Sequence, residues 1–242
     1  MLKLLAAFML ITSASAFAQT YCPLTEVKLF TENPDPSERE WMKADGRILS
    51  TKSFDKLYSL LQNRFGGDEV SFNLPLINSV TVNGNKADYY ICVWGMQSSR
   101  GGDYETTSIS LMASKYVYDP SVNYFPAEDM RVIPLTSNID SLIRLIGDRF
   151  VEGRTLVLPG ISMGVEVMNG PGLFTFFVAS GIYPNPDLYD SKCIKGEVVF
   201  NFLADGKIPL NLKEVTVSNK ITLNIANSTV RPDQYPRAFE CQ

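Results

Sequence analysis

The most regular pattern in the chain is a stripe of apolar residues with helical spacing in the segment 51–65. The stripe consists of Phe54, Leu57, Tyr58, Leu61 and Phe65. Positions i, i+3, i+4, i+7 and i+11 lie on one face of an α-helix. Ser50, Thr51 and Ser53 offer side-chain caps before the stripe, and Gly66-Gly67 favours a helix end after it. The pattern therefore predicts an amphipathic helix.

The same stripe returns 85 residues later. It consists of Ile139, Leu142, Ile143, Ile146 and Phe150. The flanks repeat as well, because Arg47-Ile48-Leu49 precedes the first stripe and Arg131-Val132-Ile133 precedes the second. A Leu-Pro segment follows each stripe, at 72–75 and 156–159, and an aromatic run of strand type comes later, at 89–96 and 174–182. We therefore predict a tandem duplication of a unit of about 85 residues.

The C-terminal part of the chain lacks this stripe. Alternating apolar and polar residues from Val215 to Ile225 predict a half-buried strand, and Asp205-Gly206 predicts a turn. We expect an α+β fold with two tandem units, each having one main helix on a small sheet, and a β-rich C-terminal segment. The predicted boundaries are 1–18 for a leader, 19–106 for the first unit, 107–190 for the second and 191–242 for the C-terminal segment.

The first residues have the features of a secretory signal peptide. Lys3 precedes an apolar run from Leu4 to Ile11, and small residues follow, up to Ala16-Phe17-Ala18. Cleavage after Ala18 would release the protein to the periplasm or the extracellular space. The apolar run is too short for a transmembrane helix, and no later stretch is long enough, so no membrane span is expected.

Four cysteines accompany this leader, and export would place them in an oxidising compartment. Four cysteines allow three pairings. Cys193 and Cys241 bracket the C-terminal segment, so we predict a disulfide between them and, by subtraction, one between Cys22 and Cys92. Free buried thiols are the alternative.

The amino-acid composition excludes several classes of function. The chain has no histidine, which excludes Ser-His-Asp and Cys-His catalysis and every histidine-ligated zinc site. The formal net charge of −4 provides no basic field for a nucleic acid, so none is expected as a partner. No cofactor or metal site is predicted.

Carboxylate chemistry remains open as an alternative. Glu38 with Glu40, and Glu128 with Asp129, are close in sequence. A secreted hydrolase would need two such carboxylates on opposite sides of a cleft, which sequence spacing does not establish.

The first unit carries an ordered set of motifs. Trp41 is followed by Asp45-Gly46, the predicted helix, a Phe65-Gly66-Gly67-Asp68 loop and Phe72-Asn73-Leu74-Pro75; a tyrosine-rich run at 89–92 comes next. Over residues 38–98 this order resembles the phage tail collar domain, including bacterial relatives of the microcystin-dependent protein family. Residues 125–183 resemble it more weakly, since the second copy lacks the tryptophan, the Asp-Gly pair and the asparagine. The basic residue that the family carries after Leu-Pro is absent from both copies.

The resemblance implies a non-enzymatic structural or attachment module. Its expected partners are another protein or further copies of the same chain, and glycan binding is a further option. Trp41, Asp45 and Asn73 are candidate binding residues, because an aromatic face stacks on a sugar and polar groups bind its hydroxyls. Each also has a structural interpretation: Trp41 as a core anchor, Asp45 as part of an Asp-Gly turn and Asn73 as a partner of turn backbone.

Overall fold

Antiparallel β-strands form most of the secondary structure. The computed structural model describes residues 22–35, 39–95, 108–115, 124–127, 131–135, 140–158, 160–178, 194–203, 208–218, 221–224 and 236–242. Within these ranges lie seventeen strands and two α-helices. No helix in these ranges is both long and apolar enough to cross a membrane.

The strands and helices follow one another in this order along the chain. The first eight strands are β1 (Glu26–Phe30), β2 (Trp41–Lys43), β3 (Ile48–Ser50), β4 (Ser71–Asn73), β5 (Val80–Val82), β6 (Asn85–Cys92), β7 (Ser108–Met112) and β8 (Tyr124–Pro126). The other nine are β9 (Arg131–Pro134), β10 (Val151–Glu152), β11 (Thr155–Leu158), β12 (Gly160–Met163), β13 (Phe174–Val178), β14 (Glu197–Asn201), β15 (Leu212–Val215), β16 (Ile221–Asn224) and β17 (Arg237–Cys241). Helix α1 (Asp55–Leu61) lies between β3 and β4, and α2 (Asp140–Ile146) is followed by a 3-10 helix, Gly147–Phe150.

Ten of the strands in the described ranges belong to one large sheet. Its main path runs β15-β17-β14-β1-β7-β13-β8, and β6 pairs with β1, β2 and β5. Three smaller sheets are formed by β10-β11-β9, by β12-β16 and by β3-β4. Strand β14 of the C-terminal segment pairs with both β1 and β7. The C-terminal segment is therefore built into the main sheet.

The expected α+β fold, with one main helix on a small sheet in each unit, is wrong. Both helices lie inside the segments whose apolar stripes predict them, but each is only seven residues long, about two turns. Helix α1 ends at Leu61 because Gln62 adopts a positive φ of 50°. Most of the buried side chains come from strands of the antiparallel sheets, so the protein is mostly β.

The part of the sheet around β1 carries different clusters on its two faces. Alternation along the strand places Val27 and Leu29 in the main core, and Lys28 and Phe30 on the opposite face. The second, smaller cluster on that opposite face consists of Cys22, Phe30, Trp41, Tyr90 and Cys92. We call it the aromatic cluster.

A disulfide joins Cys22 to Cys92, the pairing that the sequence predicts. It ties the chain before β1 to the last residue of β6. Cys241 is disulfide-bonded as well. Cys193, its expected partner, lies outside the described residues, so that second pairing stays a prediction.

The single strand expected from Val215 to Ile225 is divided in two. Val215 ends β15, and β16 begins at Ile221. Between them the chain turns to a different partner, because Val217 forms a bridge with Val82 and Thr216 exchanges backbone and side-chain hydrogen bonds with Asn83. The expected turn at 205–206 and the leader at 1–18 lie outside the described residues.

The two strand–helix–strand segments have the same register. Strand β3 pairs with β4 through Ile48 and Asn73, and β9 pairs with β11 through Val132 and Val157, each 84 positions later in the chain. The neighbouring strands correspond too, since β6 pairs with β1 and β2, while β13 pairs with β7 and β8. Strands β1 and β7 also pair with each other, with Glu26 opposite Met112.

Candidate binding cleft

A cleft opens beside β2, next to the aromatic cluster. Its volume is about 370 Å³. The polar and aromatic residues that line it are Asn33, Asp35, Arg39, Trp41, Lys43, Arg47 and Tyr90. Pockets that bind small ligands usually measure roughly 300 to 1,000 Å³, so the cleft is large enough for a small ligand.

The short strand β2 brings an aromatic and a cationic side chain to this cleft. Trp41 and Lys43 are two residues apart and therefore share one face of the sheet. They lie opposite Cys92 and Tyr90 of β6. Met42, between them, packs against the main core.

Trp41 is mainly an anchor of the aromatic cluster. The residue is only 8% exposed, and its ring meets Phe30 edge-on with 5.8 Å between the centroids. The Lys28 Nζ lies 5.4 Å from the centre of the indole ring, which is a cation–π distance. Trp41 therefore offers the cleft only the rim of its ring.

Asp45 does not line the cleft itself but binds Arg47, which does. The Arg47 Nε donates to Asp45 Oδ1 at 2.8 Å, and Nη2 donates to Oδ2 at 2.6 Å. These side-chain hydrogen bonds hold the pKa of Asp45 below its usual value of 3.8. The carboxylate thus fixes the direction of the guanidinium that lines the cleft.

Gly46 makes the turn after Asp45 possible. Its φ is +76°, a conformation that glycine adopts without strain. Its amide donates to the Pro75 carbonyl at 3.2 Å, and an added Cβ would lie 3.1 Å from the Leu76 Cβ. The Arg47 amide donates to Asp45 Oδ1 at 3.2 Å, which closes an Asx-type turn, and Asp45 forms an antiparallel bridge with Leu76 after β4.

Asn73 lies away from the cleft. It is the last residue of β4, opposite Ile48, and its backbone amide donates to the Gly66 carbonyl at 3.0 Å. Its side-chain amide lies against Gly66. Of the three candidate residues, Trp41 lines the cleft, Asp45 holds Arg47 of its wall without lining it, and Asn73 lies at the end of β4.

The cleft also contains residues that the sequence pattern did not single out. The Tyr90 hydroxyl donates to Asn33 Oδ1 at 2.5 Å, and burial raises the pKa of Tyr90. The Lys43 Nζ donates to Asp88 Oδ2 at 2.7 Å. Although burial acts in the opposite direction, hydrogen bonds from Lys43 and Ser79 lower the pKa of Asp88. The alternation of β6 was the signal available, since Asp88, Tyr90 and Cys92 share one face.

Residues 25–79 match the phage tail collar domain. This collar segment runs from the start of β1 to the residues after β4, and it includes Trp41, Asp45 and Asn73. Comparisons with curated proteins and with solved structures find no match.

A residue outside the collar segment closes its Leu-Pro turn. Asn169 Oδ1 accepts from the Leu76 amide at 2.7 Å, and its Nδ2 donates to the carbonyls of Leu74 at 2.9 Å and Phe65 at 3.1 Å. The next residue, Gly170, packs so closely that an added Cβ would lie 2.7 Å from Phe65 Cδ1. The dipeptide Asn169-Gly170 is typical of a turn, and a turn pattern gives no indication of this long-range contact.

Of the carboxylates considered for hydrolysis, only Glu40 lies among the described residues, and it is not in the lining of the cleft. Glu38, Glu128 and Asp129 lie outside the described residues. The backbone carbonyl of Glu40 accepts from the Val93 amide at 2.7 Å. Within the described ranges no three acidic or cysteine side chains are grouped as metal ligands would be.

Proposed function

We propose that the protein is an exported, non-catalytic structural module of the tail-collar type that attaches to a surface or joins a multimeric assembly. The observation that carries this proposal is the match of residues 25–79 to the phage tail collar domain, a structural domain of phage tails. The matched residues supply strands to the main sheet and are not an isolated motif. The proposed partners are another protein or further copies of this chain, and receptor or glycan binding extends the proposal.

A second, degenerate collar unit at 107–190, after the first at 19–106, belongs to the proposal. The shared register of β3-β4 and β9-β11 supports it, since backbone pairing keeps its pattern after side chains diverge. The antiparallel pairing of β1 with β7 supports it too, because two copies of one unit pack naturally through equivalent strands. We propose, from the motif order of residues 38–98, that the units are of the microcystin-dependent protein-like kind.

Export is proposed from the leader, with cleavage near Ala18. The disulfide Cys22–Cys92 supports it, because disulfides persist in oxidising compartments and are rare in the cytosol. N-terminal sequencing of the protein recovered from the producing cell tests it. We expect the mature chain to begin near Gln19 and to fractionate with the periplasm or the medium. A chain that keeps Met1 and fractionates with the cytosol would contradict export.

Light scattering after size-exclusion chromatography tests the assembly role. We expect the mature protein to elute as a multimer, or as a complex when its partner is present. Binding of the labelled protein to whole cells tests attachment in parallel. A strict monomer that binds neither a partner nor a cell surface would contradict the proposed function. Polysaccharide turnover that one Asp or Glu substitution abolishes would overturn its non-catalytic part.

A further inference from the structure

We infer that the cleft beside β2 binds a carbohydrate that carries an acidic group, such as a uronic acid or a phosphorylated sugar. This inference rests on the proposed attachment function and names the class of ligand that the surface recognises. It is carried by the composition of the cleft wall. Cations, an aromatic rim and an amide meet there around about 370 Å³.

The wall of the cleft, among the described residues, is rich in cationic hydrogen-bond donors. Arg39, Lys43 and Arg47 line it, together with one carboxylate, that of Asp35. Two further carboxylates stand behind the wall, where Asp45 pairs with Arg47 and Asp88 pairs with Lys43. Because these pairs offset two of the positive charges, the N–H donors that they leave unshared, rather than an excess of charge, favour an oxyanion. The ligand is therefore expected to present a local negative group to these donors.

Two of these cations are held in position while donors remain for a ligand. Asp45 takes the Nε and one Nη2 hydrogen of Arg47, so three of its five donors remain as far as the described residues go. Asp88 Oδ2 takes one donor of Lys43 and lies 2.7 Å away. Because both side chains are already ordered by these ion pairs, binding an oxyanion costs little further side-chain entropy.

The rest of the wall suits a polyhydroxylated ligand. Tyr90 donates its proton to Asn33 Oδ1, which leaves the phenolic oxygen as an acceptor and the Asn33 Nδ2 as a donor. Trp41 adds an apolar rim. Donors and acceptors beside an aromatic rim match the alternating hydroxyls and C–H groups of a sugar ring, while a bare inorganic anion would use only the cations.

Calorimetric titration of the mature wild-type protein with digalacturonate, glucose 6-phosphate, neutral digalactose and citrate tests the inference. We expect wild-type binding of at least one acidic sugar, weaker binding of digalactose and weaker binding of citrate.

Arg39→Gln removes an exposed cation of the cleft and should weaken the binding of the acidic sugar about tenfold. Tyr90→Phe removes only the hydroxyl and should weaken it about fivefold. Lys213→Gln is the matched control, since Lys213 is an exposed cation on β15, and its affinity should equal that of the wild type.

Each result decides for or against the inference. Preference for digalacturonate or for glucose 6-phosphate identifies a carboxylate or a phosphate as the acidic group. Citrate bound as tightly as the sugars, or equal affinities of Arg39→Gln and Lys213→Gln, would overturn the inference. A wild type that binds none of the acidic sugars would overturn it as well. If that same protein still multimerises or binds cells, the proposed function stands without this ligand class.

Discussion

At the scale of single residues, glycine is required where the backbone passes a crowded point. Gly95 follows β6 and lies directly against the disulfide between Cys22 and Cys92. A Cβ added at Gly95 would overlap the Cys22 carbonyl oxygen and lie 2.6 Å from the Cys92 Sγ. Gly172, in contrast, has open space around it. A glycine-to-alanine substitution therefore causes a steric clash at Gly95 and none at Gly172.

We predict that Gly95→Ala destabilises the protein by about 3 kcal/mol or more, because backbone or disulfide must move to admit the methyl group. Urea unfolding and titration of free thiols measure the two consequences. Gly172→Ala is the control and should change the unfolding free energy by less than about 0.5 kcal/mol. Equal stability of the two variants would show that the chain at Gly95 is not packed as described.

At the scale of elements, short segments depend on contacts from distant parts of the chain. The Leu74-Pro75 turn after β4 leaves backbone groups of Leu74 and Leu76 without strand partners, and Asn169 binds them. Arg64 contacts the same distant segment. Its Nη2 donates to the Gly172 carbonyl at 2.7 Å, and its guanidinium lies 4.5 Å from the Phe174 ring centre. The segment from 167 to 174 thus clamps the end of the collar segment.

We predict that Asn169→Ala lowers the free energy of unfolding by about 2 to 3 kcal/mol. The substitution removes three hydrogen bonds, each contributing about 1 kcal/mol, and leaves their backbone partners unsatisfied. Chemical denaturation measures the change. Asn63→Ala, at an exposed position in the turn after α1, should shift the midpoint little. A loss as small as that of Asn63→Ala would contradict the clamp.

At the scale of the whole molecule, the main sheet joins all three predicted segments. Strand β1 of the first unit pairs with β7 of the second, and β14 of the C-terminal segment pairs with both. Unfolding any one segment would expose the strands of the other two. The three segments therefore share one hydrogen-bonded sheet, and we expect them to unfold together.

We predict a single unfolding transition for the oxidised protein. Differential scanning calorimetry should give one peak whose calorimetric enthalpy equals the van't Hoff enthalpy. Two separated peaks would show that the units unfold independently and would contradict a shared sheet.

Local chemistry in the sequence determined the places of several elements. The apolar stripes located α1 and α2, because helix hydrogen bonds join residues four positions apart and depend on nearby side chains. The Asp45-Gly46 turn and the Cys22–Cys92 pairing were likewise predicted, although the pairing followed from a choice among few cysteines. The collar resemblance could also be recognised from the sequence, because it consists of short motifs in a fixed order.

Only the tertiary structure decided the fold class and the composition of the cleft. Strand pairing joins residues that are far apart in sequence, so no local pattern showed that β14 pairs with both β1 and β7. No local pattern showed either that the helices would end after two turns. The same holds for Asn33 beside Tyr90 and for Asn169 at the Leu-Pro turn. Sequence spacing shows which face of its own strand or helix a residue occupies. The residue that it contacts on another element depends on how distant strands pair.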